Sequence, residues 1–79
     1  MTRKLPEPML RAFAAAEAAA KSGEVPVGAV VVDKLGNILA VAANRTLTDR
    51  DPTAHAEMIA IREAASKLGS ERLVDCDLY

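Results

Sequence analysis

The stretch Asp51–Glu57, D-P-T-A-H-A-E, decides how the rest of this chain is organised, and it predicts the start of a helix. Asp51 is a favourable N-cap residue, because its carboxylate can accept hydrogen bonds from the unpaired N–H groups of a first turn. Pro52 would then occupy the first helical position, where a missing N–H group costs nothing. On this interpretation His55, the only histidine in the sequence, and Glu57 lie near the positive end of the helix dipole.

The helix that begins here is predicted to bury one apolar stripe. At about 100° per residue, the stripe consists of Ala54, Met58, Ile61, Ala65 and Leu68. Glu57 lies about 60° from its centre by the same count, and a carboxylate so near a buried face is costly unless something satisfies it. His55 lies on the other border of the stripe. The two side chains could converge on one point beyond the helix end, where one binds a metal and the other handles protons.

Composition limits the class of protein. The chain has 79 residues, of which 51% are hydrophobic, so it is globular and has room for one small domain. The net charge of -1 means that the chain lacks the overall basic character that is typical of nucleic-acid-binding domains. Cys76 is the single cysteine and cannot form a disulfide within the chain, which fits a reducing cytosol. No apolar run approaches the ~20 residues of a membrane span.

The remaining elements follow from local signals. A helix is predicted from about Pro8 to Ser22, because Met9, Phe13, Ala16 and Ala20 recur at helical spacing, and Gly23 is a natural residue to follow its end. The next segment, residues 24–32, ends in a β-branched run without alternation, which predicts a strand buried on both faces.

Two residues of that segment have positional meaning. Pro26 cannot donate to a strand ladder and must lie at the strand entry or an edge, and Gly28 indicates close approach by a ligand or another backbone. Residues 33–37 then form a hairpin loop, and residues 38–43 form a second, antiparallel strand. The second helix is expected to run to about residue 68, with Gly69 after its end, and a third strand begins within residues 73–79.

The residues alone leave the chemistry open. A catalytic zinc site needs about three protein ligands and one open position for water. Near Glu57 the sequence supplies only His55. On these residues alone, the favoured interpretation of His55 is therefore a satisfied histidine at a helix start, until more of the pattern is considered.

Four stretches together resemble the zinc-dependent cytidine and adenosine deaminase superfamily, and within it the bacterial tRNA-specific adenosine deaminases. They are V-P-V-G-A-V-V-V at 25–32, G-N-I-L-A at 36–40, A-N-R at 43–45 and D-P-T-A-H-A-E-M-I-A-I-R-E-A at 51–64. The resemblance covers about Met9 to Tyr79. It implies an α/β fold, the α-β-β-α-β start of a three-layer α/β/α sandwich of the cytidine-deaminase type, truncated at the third strand.

The resemblance also implies the site residues. His55 would be the zinc ligand, and the two further cysteine ligands would belong to a P-C-x-x-C segment that residues 1–79 do not contain. Glu57 would be the catalytic proton shuttle, Ala56 would offer its backbone N–H group to the substrate base, and Asn44 would bind the substrate through both the donor and the acceptor of its amide. Cys76 is interpreted as a small buried thiol and not as a ligand.

The implied function is hydrolytic deamination of adenosine to inosine at the wobble position of a tRNA anticodon loop. The expected enzyme is a cytoplasmic, zinc-dependent homodimer without membrane association, and residues 1–79 are the N-terminal half of its domain, inactive alone. Two alternatives remain. Deaminases of guanine, cytosine or other bases and nucleosides share T-A-H-A-E, and a metal-free, deaminase-like module that only binds or oligomerises would also lack the cysteines.

Overall fold

The computed structural model describes residues 5–70 and 72–79, which form two helices and three strands. In chain order they are α1 (Glu7–Lys21), β1 (Gly28–Val32), β2 (Ile38–Ala43), α2 (Ala56–Leu68) and β3 (Asp77–Leu78). The predicted α-β-β-α-β order is confirmed, and so are the bounds of the second strand.

The strands form one antiparallel sheet in the order β2-β1-β3. The central strand β1 is buried along its last four residues, because α1 and α2 cover opposite faces of the sheet. Val30 and Val32 face the α1 side, whereas Ala29 and Val31 face the α2 side. The prediction of a strand buried on both faces is confirmed, and the three layers correspond to the expected α/β/α arrangement.

The C-terminal end of α1 turns the chain sharply towards β1. The Gly23 N–H group donates to the Ala20 carbonyl at 3.1 Å, and the Glu24 N–H group donates to the Ala19 carbonyl at 2.9 Å, which is the Schellman arrangement. Gly23 has a φ of +85°, a conformation that glycine adopts without a Cβ penalty. The helix end is as predicted, and it places Glu24 in a buried position directly after the turn.

The residues that α1 buries against the sheet are small. Ala12 and Ala19 are buried, whereas Phe13 is 54% exposed. The reason is the close approach of β1, since a Cβ atom on Gly28 would lie 2.0 Å from the Ala12 carbonyl oxygen. Only small side chains fit between backbones at that separation, which is why the buried residues of α1 are alanines. The predicted close approach at Gly28 is confirmed, and another backbone makes it.

The start of α2 also requires a correction, because the helix begins at Ala56 and Asp51 does not cap it. The N-cap residue is His55, with extended dihedral angles of φ -76° and ψ 148°. The Asp51 carboxylate instead accepts hydrogen bonds from the Thr53 N–H group at 2.9 Å and the Thr53 hydroxyl at 2.7 Å. An aspartate that closes a local turn in this way competes with helix formation, and here the turn forms in place of the first helical turn.

The buried stripe of α2 consists of alanines. Ala56, Ala60 and Ala64 are fully buried against the sheet, whereas Met58 is 40% and Ile61 is 37% exposed. The predicted stripe is therefore wrong. Helical periodicity shows where apolar residues line up, but α2 has two such faces, and periodicity does not show which of them packs on the sheet. The alanine face does so because its small side chains allow the closer approach. The end of the helix is as predicted, with Gly69 at φ +68°. Neither helix of the described residues is long and apolar enough to cross a membrane.

Candidate functional site

The first turn of α2 brings His55 and Glu57 to the same end of one helix. His55 is exposed at the N-cap position, and Glu57 is half-buried in the first turn. Ala56, between them, is fully buried and packs in the same core cluster as Val31 of β1. The sheet therefore holds the helix start in place while the polar residues on either side of Ala56 remain accessible.

Backbone donors are also available at this helix end. The Ile59 N–H group donates to the His55 carbonyl at 3.0 Å and so begins the helical ladder. The N–H groups of Ala56, Glu57 and Met58 have no acceptor among residues 5–70 and 72–79. Such orphan donors at the positive end of the helix dipole favour an acceptor atom or a negative charge. The Ala56 N–H group thus has the hydrogen-bonding capacity that the resemblance assigns to it.

Asn44 lies beside this helix end because two backbone hydrogen bonds tie its loop down. The Arg45 N–H group donates to the Ala54 carbonyl at 2.8 Å, directly before His55. The Asn44 N–H group donates to the Val27 carbonyl at 3.0 Å, at the entry to β1. The structure therefore brings the end of β2 and the start of α2 together, although the twelve residues 44–55 separate them in sequence.

The side chain of Asn44 is buried and its donors are already used. Nδ2 donates to Glu24 Oε1 at 3.2 Å and to Thr46 Oγ1 at 2.8 Å. Since an amide nitrogen carries two hydrogens, these two bonds leave only Oδ1 for a further partner. The expectation that Asn44 offers both a donor and an acceptor to a substrate is therefore wrong in its donor half.

Glu24 is a site residue that the sequence reasoning missed. The residue is 7% exposed, and its carboxylate accepts hydrogen bonds from the Asn44 amide and from the backbone N–H groups of Leu47 and Thr48. The Thr48 hydroxyl, together with these N–H donors, lowers the pKa of Glu24 to about 2. The sequence signal was a carboxylate between the helix-ending Gly23 and a buried strand, a position where an unpartnered charge is costly.

A groove runs beside these residues along the β2 edge of the sheet. It has a volume of about 320 Å³, and Glu24, Asn44 and Thr48 line it together with Ile59 and Glu63 of α2. His55 and Glu57 do not line this groove, so it adjoins the helix end without including it. Arg45, which also lines the groove, is hydrogen-bonded to Ala54 just before the α2 start.

The metal-ligating capacity of the described residues is limited to part of a site. Within residues 5–70 and 72–79, no three His, Cys, Asp or Glu side chains lie close enough together to hold a metal ion. His55 fits as one ligand because it is exposed at the N-cap of α2, two residues before Glu57. Cys76 is half-buried and packs against the core on the α2 side, where its thiol donates to the Val74 carbonyl.

The fold has three α/β/α layers, and His-x-Glu lies at the start of a helix that packs against the central strand. This combination defines a deaminase-type domain. The family model described as the cytidine and deoxycytidylate deaminase zinc-binding region matches residues 3–79. The chain therefore belongs to this family, whose cofactor is Zn²⁺.

Individual relatives agree with the family assignment. The chain is 50% identical over 64 residues to the tRNA-specific adenosine deaminase of Aquifex aeolicus, covering 81% of this chain and 42% of the relative. A solved structure from work on A-to-I editing by tRNA:A34 deaminases superposes with a TM-score of 0.87 at 46% identity, covering 91% of this chain and 51% of that one. The guanine deaminase of Bacillus subtilis gives a TM-score of 0.88 at 41% identity, covering 98% and 49%. The chain thus spans about half the length of these proteins.

Proposed function

We propose that residues 1–79 form the N-terminal half of a deaminase domain that converts adenosine to inosine at the wobble position of tRNA. The observation that supports this proposal is the hydrogen bond from the Arg45 N–H group to the Ala54 carbonyl, which brings the loop after Asn44 next to the start of α2, where His55 and Glu57 lie. The similarity to tRNA-specific adenosine deaminases supports adenosine in tRNA as the substrate. The reaction consumes one water, forms the inosine carbonyl and releases ammonia.

The residues of this chain have distinct roles in that reaction. His55 is one zinc ligand, and zinc, when bound, supplies Lewis-acid activation of water. Glu57 takes one proton from the attacking water and delivers it to the ring nitrogen. It then moves the proton of the new hydroxyl group to the amino group, which departs as ammonia while the carbonyl forms. The Ala56 N–H group donates to the base, and Asn44 Oδ1 accepts a hydrogen bond from a hydroxyl or N–H group of the nucleoside.

The partners follow from the same proposal. The substrate is a flipped-out adenosine in a single-stranded anticodon loop, because the reacting atom of a paired base cannot be reached. We further propose a cytoplasmic homodimer, which the single cysteine and the exposed apolar side chains of Met58, Ile61 and Leu68 support. Sedimentation of the intact domain at two loading concentrations tests the dimer, and a concentration-independent monomer would contradict it.

Deamination of a free purine base is the second candidate function. The guanine deaminase of Bacillus subtilis is 54% identical over 54 residues and shares the fold, so the first half of the domain supports either substrate. The two functions differ in whether an RNA loop must be bound around the reacting base.

The test compares the two substrates on the intact, zinc-loaded domain. We expect inosine formation in an anticodon hairpin with adenosine at the wobble position, and no xanthine formation from guanine. A hairpin with adenosine one position away is the matched control and should stay unreacted. Turnover of guanine alone would select the second candidate, and a folded domain that holds no zinc would favour the metal-free binding module.

A further inference from the structure

The hydrogen bonds of the Asn44 amide fix which of its atoms can reach a substrate. Its two amide hydrogens point to Glu24 Oε1 and Thr46 Oγ1, so the amide cannot rotate without losing both bonds. In this orientation Oδ1 is the atom without a donor among the described residues. The Asn44 amide is therefore oriented so that it presents an acceptor, and this orientation depends on two neighbouring side chains.

Glu24 is the better anchored of these two neighbours. The Schellman turn holds its backbone through the 2.9 Å bond from its N–H group to Ala19. Its carboxylate also accepts from the backbone N–H groups of Leu47 and Thr48, in the loop that follows Asn44. One carboxylate therefore ties the Asn44 amide and the loop after β2 to the end of α1.

We propose that Glu24 is a positioning residue for the deamination, which orients Asn44 so that Oδ1 accepts a hydrogen bond from a hydroxyl or N–H donor of the substrate nucleoside. This inference rests on the proposed function, and Glu24 acts through Asn44 without touching the substrate. The carboxylate is well suited to this task because it only accepts hydrogen bonds when ionised. Its lowered pKa keeps it ionised throughout the neutral range.

The first experiment separates positioning from simple stabilisation in the intact, zinc-loaded domain. Glu24→Gln is expected to raise KM for the anticodon hairpin about tenfold, with kcat and zinc content nearly unchanged. Asn44→Ala should raise KM similarly, and the double variant should show no further increase, because one residue acts through the other. Glu17→Gln, an exposed glutamate on α1, is the matched control and should leave KM unchanged. An unchanged KM in Glu24→Gln, or multiplied effects in the double variant, would overturn the proposal.

A second pair of variants covers the case in which Glu24→Gln does not fold. Thr46→Val removes the other acceptor of Nδ2 and should raise KM about threefold, whereas Thr46→Ser should restore the wild-type value. A wild-type KM in folded Thr46→Val, verified by circular dichroism, would overturn the role of the amide orientation.

A spectroscopic measurement makes the proposal independent of turnover. The side-chain amide protons of Asn44, assigned by their loss in Asn44→Ala, should exchange slowly with solvent in the wild type. They should exchange faster in Glu24→Gln or, should that variant be unfolded, in Thr46→Val. Fast exchange in the wild type would overturn the proposal. If the hairpin is not deaminated at all, the proposed function fails, while the exchange rates still decide whether Glu24 orients Asn44.

Discussion

At the scale of single residues, Ala56 allows two polar neighbours to share one helix end. Its side chain is a single methyl group and is fully buried, so the first turn of α2 packs directly on the sheet. His55 precedes the turn with extended dihedral angles, and Glu57 follows within it. The two side chains therefore have different surroundings, exposed for the histidine and half-buried for the glutamate, which fits a ligand next to a proton carrier.

Glu57 and His55 should be separable by substitution in the intact domain. Glu57→Gln keeps the size of the side chain but cannot carry a proton, so turnover should fall 10²–10⁴-fold or more while zinc is retained, about the range for loss of a general acid or base. His55→Ala should lose zinc and turnover together. Zinc content by atomic absorption and inosine formation measure the two effects. Near-normal turnover in Glu57→Gln, or loss of its zinc, would refute the assigned role.

Glu24 should make the stability of the fold depend on pH in the acid range. The hydrogen bond from the Thr48 hydroxyl lowers the folded-state pKa of Glu24 from 4.5 to about 2. Its contribution is therefore fully present above pH 4.5 and is lost as the pH falls towards 2. In metal-free protein, the difference in Tm between wild type and Glu24→Gln should shrink steadily from pH 5 to 2.5. The Glu17→Gln control should follow the wild type, and a constant difference for Glu24→Gln would count against this account.

At the scale of elements, small residues decide how closely the helices approach the sheet. The backbone of α1 lies against Gly28, and the stripe Ala56, Ala60 and Ala64 of α2 lies against the other face. Larger apolar residues on both helices stay partly exposed, including Phe13 and Met58. Close contact between backbones thus takes precedence over burial of the largest side chains in this part of the fold.

Because the alanine stripe of α2 is buried, enlarging one of its side chains should destabilise the fold more than the same change at an exposed alanine. Ala60→Leu adds volume where the side chain is fully buried, so we expect a loss of about 1–3 kcal/mol in the free energy of unfolding. Ala14→Leu makes the same change at an exposed position of α1 and should alter that free energy by less than about 0.5 kcal/mol. Chemical denaturation of the intact domain measures both variants. Equal stability of the two would show that α2 can move away from the sheet at little cost.

At the scale of the whole molecule, the described residues supply one candidate metal ligand on a three-stranded sheet. They place one histidine at the α2 start, and no group of three potential ligands occurs within residues 5–70 and 72–79. A zinc site of about three protein ligands must therefore use side chains from outside this set. The proposed deaminase half and its complement are expected to share the site.

This arrangement predicts that zinc binding requires more than the 79-residue chain. Residues 1–79 alone should release zinc during dialysis against a chelator, because a single imidazole ligand holds the metal weakly. The intact domain treated in the same way is the control and should keep one zinc per chain. Stoichiometric zinc in the isolated chain after dialysis would contradict the proposed division of ligands.

Local chemistry in the sequence determined the element order, the bounds of β2 and the ends of both helices. Gly23 and Gly69 end the helices through left-handed conformations, and the β-branched run before Asp33 forms the central strand. These features depend on neighbouring residues and can be predicted without the fold. The motif around His55 likewise identified the family.

Three features depended on the tertiary structure. On α2 the alanine face is buried instead of the predicted stripe with Met58 and Ile61, because the distance between helix and sheet depends on the side chains of both. The start of α2 moved to Ala56, because the Asp51 turn and the bond between Arg45 and Ala54 hold the preceding residues outside the helix. The contact between Glu24 and Asn44 joins residues twenty positions apart. No local pattern could reveal that contact, because it exists only where the end of α1 and the end of β2 meet.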